Sequence, residues 1–128
     1  MTRETRAALG RAKARLDTLD IYPQPVGLGG VRIVVLPWLF RLPRMRRYDG
    51  YALPRTILLR HPPGEGASDD LVTHELCHVW QMQHHPLRLF RAWLTASYEE
   101  NPFELEARAA AAATRPGPST PRAPAPAA

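Results

Sequence analysis

The stretch Val72-Thr-His-Glu-Leu-Cys-His-Val-Trp80 holds the residues best suited to chemistry in this chain. In a helix, side chains four positions apart share one face with Cβ atoms about 6 Å apart, so His74 and His78 can turn both imidazoles toward a single ion. Neutral imidazole suits zinc, and a catalytic zinc site keeps three protein ligands and one open position for water. Glu75 sits beside the pair and not between them. From there its carboxylate can take a proton from the zinc-held water and later deliver it to a leaving group. The HExxH pattern fixes only three positions, and its weight comes from its setting: a capped helix with a strand before it and an acidic helix after it. The bland alternative is two surface histidines beside an ordinary helix glutamate. Cys77, between the histidines, reads as a small buried residue and not a ligand.

A third metal ligand must come from elsewhere in the chain, and His84, Glu104 and Glu106 compete for the role. His84 lies ten residues after His74, the spacing of HExxHxxGxxH sites. That arrangement needs a glycine at the position of Gln81, where the chain turns sharply. With Gln81 there the helix continues, and six residues at about 100° each carry His84 well away from His78. Asn101-Pro-Phe-Glu-Leu-Glu-Ala107 offers the two glutamates. With Asn101 as helix cap, Glu104 falls at the third helical position, where a capping-box contact is its ordinary role. The alanines at 107, 110 and 111 allow close approach to the metal helix for either carboxylate.

HELCHVWQ followed some 25 residues later by NPFELEA resembles small bacterial gluzincin-type zinc metallopeptidase domains. The resemblance spans about residues 50 to 113 and implies a His-His-Glu zinc site in which the glutamate three before an alanine is the ligand, here Glu104 before Ala107. It also implies peptide-bond hydrolysis, with a short sheet beside the active-site helix and substrate backbone bound along the free edge of the second strand, residues 55 to 60. Two departures stand out. Arg108 occupies the place four after Glu104 where larger relatives carry Asp, and no clear counterpart of their oxyanion-steadying His or Tyr is present, Tyr98 being the one candidate.

The elements that must position these residues can be read from pattern. Residues 3 to about 19 combine helix formers with a thin apolar stripe, Leu9, Leu16 and Leu19, which predicts a lightly packed surface helix. Pro23, Pro25 and Gly27 to Gly30 end it, and β-branched Val31 to Leu36 predicts a first strand. Tyr48-Asp-Gly-Tyr51 reads as a turn and Arg55 to Arg60 as a second strand, with Pro54 at its start. Ser68-Asp-Asp predicts the N-terminus of the metal helix, running from about 69 to 85 and stopped by Pro86. Leu87, Phe90, Trp93 and Leu94 recur at helical spacing, which predicts another helix packing these side chains into the core. Asn101-Pro102 opens the last helix. From residue 115 the chain is Pro- and Ala-rich and is expected to be a disordered tail, leaving 1–114 as the folded domain.

Composition bounds the rest. A chain of 128 residues with 45% apolar content supports one modest core. The single cysteine excludes an internal disulfide and a cysteine-rich structural zinc site. There is no run of 18 or more apolar residues, and MTRETRAALGRAKAR lacks the apolar stretch of a secretion signal; the expectation is a soluble cytoplasmic protein with no membrane partner. Basic residues concentrate in the first 60 positions, 12 against 4 acidic, and this half can attract an anionic partner. Arginines interleaved with Trp38 and Phe40 fit phosphate contacts, though a solvated loop with anchored aromatics explains them as simply.

The expected protein is therefore an α+β, minimal zincin-like domain with zinc on His74, His78 and Glu104, and Glu75 as general base. Its expected function is hydrolysis of a peptide or protein substrate. The rivals are a non-hydrolytic metal-binding interaction domain and a nucleic-acid-associated SprT-like protease, the latter without its cysteine-rich ribbon.

Overall fold

The computed structural model describes residues 1–64, 68–97 and 100–116. It is an α+β arrangement of four helices and a small mixed sheet: α1 (Arg3–Leu16), β1 (Arg32–Val35), β2 (Gly50–Leu53), β3 (Thr56–Leu59), α2 (Asp69–His84), α3 (Pro86–Thr95) and α4 (Pro102–Ala113). A short 3-10 turn, Leu39–Arg41, buries Phe40 after β1.

Helix α2, which carries His74 and His78, is the centre of the fold. Val72, Leu76, Cys77, Val79 and Trp80 are all buried, so nearly every face of its middle turns is covered. One side takes α1, which is packed more deeply than its thin leucine stripe suggests. Ala8 and Ala12 are buried together with Leu9 and Leu16, and these small residues let the helix backbones approach closely. Arg11 Nε lies 3.0 Å from Asp69 Oδ2 and Arg15 Nη2 2.9 Å from Asp70 Oδ1, which pins α1 to the acidic start of α2. Ser68 does not cap that start with its side chain. Its backbone is not in the extended region from which a cap hydroxyl reaches back, and Asp69 and Asp70 supply the negative charge that suits a helix N-terminus.

The sheet has the order β1-β3-β2, with β1 parallel and β2 antiparallel to β3. The expected second strand is thus the central one. It has no free edge, because Ile57 and Leu59 sit fully buried between two partners. Tyr51 was expected in a turn and instead lies in β2; the turn falls later, where Pro54 and Arg55 join β2 to β3 in a two-residue hairpin. The edge strands are β1 and β2, and β2 is the one packed beside α2. Arg60 N donates to Asp49 O at 2.9 Å, and hydrogen-bonded and non-bonded pairs alternate along an antiparallel ladder. The Asp49, Tyr51 and Leu53 backbones therefore bond to β3, while Gly50 and Ala52 present N–H and C=O outward. Upstream, Gly30 at φ 76° closes the turn that aims the chain into β1, with Val31 N bonded to Leu28 O at 2.9 Å.

The third helix forms as expected, with Pro86 in its first turn, but not with the expected face inward. Only Leu89 is buried; Leu87 is 82% exposed, Phe90 62%, Leu94 71% and Trp93 40%. The periodicity was that of a helix, but the neighbours α2 and α4 meet α3 along the opposite face. In α4, Asn101 Oδ1 accepts from Phe103 N at 2.9 Å as an N-cap, and Glu104, Ala107, Ala110 and Ala111 turn toward α2. Residue 115 does not leave the domain: Arg115 Nε lies 2.7 Å from Asp70 Oδ2. The rest of the tail, residues 117–128, lies outside the described residues.

Candidate metal centre

Helical spacing brings His74 and His78 together as the sequence implies, their rings 4.9 Å apart edge to face. The docking of α4 on α2 then decides the third member. Glu104 is buried and faces both rings, Oε1 2.6 Å from His74 Nε2 and Oε2 2.9 Å from His78 Nε2. The capping-box alternative for Glu104 is not taken, since its carboxylate is committed to the histidines. Glu106 is two residues on, about 200° around the helix. It accepts hydrogen bonds from the Tyr22 hydroxyl and from Gln81 Nε2. His84 is turned away: it stacks on Tyr22 at 5.0 Å, with its Nε2 3.2 Å from Gln24 Oε1. Tyr98 lies outside the described residues.

The three donor atoms of His74, His78 and Glu104 lie within 4.8 Å of one another. Ligands at zinc distances of about 2.0–2.1 Å in a tetrahedron stand roughly 3.3 Å apart, so the carboxylate–imidazole separations of 2.6 and 2.9 Å would open slightly to take an ion. A second observation supports the fit. Glu104 Oε1, although close to His74 Nε2, has no hydrogen bond of acceptable geometry and no contact with solvent. A buried carboxylate oxygen in that state is costly unless a cation satisfies it, and the Arg108 guanidinium, with Nε 3.9 Å away, is near enough for attraction but too far to hydrogen-bond.

Electrostatics follow from this burial. Burial alone would raise the Glu104 carboxyl, but His74 and His78 outweigh it and hold the group far below the usual carboxylate range. Glu75 is the opposite case, its carboxyl pushed up chiefly by burial and further by Glu104, against the pull of His78 and His74. The Cys77 thiol is pushed up to about 12, first by burial and then by Glu106 and Glu104, in keeping with a packed and inert side chain.

Glu75 is not a member of the cluster. It lies beside it in the floor of a cleft of ≈ 300 Å³ lined by Gly50, Tyr51 and Ala52 of β2, by Trp93 and Ala96, and by His78, Asn101 and Glu104. Gly50 packs closely at this place. A Cβ there would come within 3.2 Å of Glu75 Cγ, Leu59 Cδ2 and Leu71 Cδ1 at once. The strand edge consequently runs directly past Glu75.

Sequence reasoning missed two parts of this site. The cleft wall of Tyr51 and Trp93, rings 5.7 Å apart, was read as turn and core. Gln81 was weighed only as the residue that is not glycine, yet it is fully buried against His78. Its signal was a polar side chain three after His78 on the same helix face. No family model, no curated protein and no solved structure matches this chain. Among the described residues, no helix is long and apolar enough to cross a membrane.

Proposed function

We propose that this protein is a zinc-dependent metallopeptidase built on a minimal zincin-like scaffold of the gluzincin type, with His74, His78 and Glu104 as the metal ligands. The observation that carries the reading is the meeting of those three donors from two helices, with His78 and Glu104 lining a cleft that also holds Glu75 and the edge strand β2. When bound, zinc supplies a Lewis acid that polarises a carbonyl and makes water acidic enough to react near neutral pH.

The protein residues have separable parts in this scheme. The outward N–H and C=O groups of Gly50 and Ala52 bind an extended peptide as an added strand, which lays its backbone across the cleft past Glu75. Glu75 accepts the proton of the attacking water and returns it to the departing amine. A carboxyl raised by burial is suited to both halves of that task, since it takes a proton readily and still releases it. Tyr51 and Asn101, on the cleft wall, are the candidate donors to the substrate carbonyl. Burial, then Tyr48 and Glu75, push the Tyr51 hydroxyl up, so it stays protonated and able to donate.

The test separates base from ligands. Glu75→Gln should keep zinc at the wild-type stoichiometry while peptide hydrolysis falls by roughly 10²–10⁴-fold, the usual worth of a general base. His74→Ala and His78→Ala should lose the metal. Equal zinc content in all three variants, or full turnover by zinc-loaded Glu75→Gln, sinks the proposal.

A further inference from the structure

Gln81 reaches the site from the same helix as the histidines, and its amide has only one favourable orientation. Nε2 lies 2.8 Å from the Phe103 carbonyl oxygen and 3.0 Å from Glu106 Oε1, two groups that accept hydrogen bonds. Turning the amide over would set its oxygen against a carbonyl and a carboxylate, replacing two buried hydrogen bonds with two repulsive contacts. Glu106 is itself anchored, because the Tyr22 hydroxyl donates to the same carboxylate oxygen.

With Nε2 so committed, Gln81 Oε1 faces His78 Nδ1 at 2.7 Å as an acceptor. The hydrogen of this contact must then sit on Nδ1. In a neutral imidazole that places the lone pair on Nε2, the nitrogen that faces Glu104 Oε2 at 2.9 Å. In that neutral form two acceptors face each other, and a cation between them, a metal ion or a proton on Nε2, relieves the contact. The partner of His78 Nδ1 thus comes from α2 itself, three residues on.

We propose that Gln81 is a positioning residue that fixes His78 in the Nδ1–H tautomer with Nε2 ready to bind metal, and that Glu106 and Tyr22 hold Gln81 in the orientation that does so. The role of the lone pair rests on the ligand assignment made above; the tautomer itself does not. Outer partners of this kind raise ligand basicity and fix ring direction, and losing one weakens metal affinity by roughly 10–100-fold.

The experiment uses the full chain labelled with ¹⁵N, metal-free and loaded with zinc alone. Long-range ¹H–¹⁵N spectra of the imidazoles should show hydrogen on His78 Nδ1 in both samples. Gln81→Met keeps the side-chain length and removes the acceptor. Zinc affinity, read by competition with a chromophoric chelator, should fall at least tenfold, with His78 tautomers mixing in the metal-free variant. A loss under threefold overturns the proposal, as does a wild-type His78 with hydrogen on Nε2 alone. If Gln81→Met does not fold, the wild-type spectrum decides. Failure of wild type to bind zinc would instead remove the ligand assignment and leave the tautomer to be judged by its spectrum.

Discussion

Substituting Gly50 by alanine tests whether the strand edge presses on the proposed base. Gly50 has no positive φ, so the change brings no backbone strain, and its cost is steric. The new methyl would stand 3.2 Å from Glu75 Cγ, Leu59 Cδ2 and Leu71 Cδ1, where ordinary carbon contacts are about 3.5–4.0 Å. Relief requires a few tenths of an ångström from each neighbour. Leu59 is fully buried and cannot give; Leu71 is half-buried, and Glu75 has the open cleft beside it. Most of the displacement thus falls on Glu75 and Leu71. Overpacking of this kind costs about 1–3 kcal/mol, and with two of three neighbours able to shift we expect the lower half of that range. For a domain of this size, about 1–2 kcal/mol lowers Tm by roughly 4–12 °C. Because a 1 Å misplacement costs about 10²-fold in rate, a shift of a few tenths should lower kcat roughly 3- to 10-fold with zinc retained. The assay is thermal unfolding by circular dichroism together with peptide hydrolysis normalised to bound zinc. A variant with unchanged Tm and unchanged kcat refutes the claim that Gly50 permits a close approach needed by Glu75.

Two further outcomes are expected. His84→Ala should hold zinc at wild-type stoichiometry, because its side chain does not belong to the cluster; elemental analysis showing metal loss would reopen the ligand set. Cys77 should resist a thiol reagent at pH 8 until the protein is unfolded, since the thiol is buried and its pKa is pushed up to about 12; rapid labelling of the native chain would show that α2 opens readily.

The parts of this protein legible in the sequence are those governed by short-range geometry. The four-residue spacing of His74 and His78 puts both rings on one face of any helix that contains them, and that helix exists. Asn101-Pro102 starts α4 by interactions confined to its own first turn. Helical periodicity likewise gave α3, and β-branched runs gave β1 and β3. What periodicity cannot say is which way an element faces once docked. Glu104 and Glu106 lie on nearly opposite faces of α4, and only the packing of α4 on α2 turns Glu104 to the histidines and Glu106 to Gln81 and Tyr22. For the same reason Leu87, Phe90 and Leu94 form a correct helical stripe that faces outward. Strand order was hidden as well, since pairing β3 between β1 and β2 depends on contacts between segments and leaves β1 and β2 as the edges. Local sequence sets the phase of a side chain along its own element, whereas the neighbour it meets is set by burial summed over the whole domain, and the site depends on both.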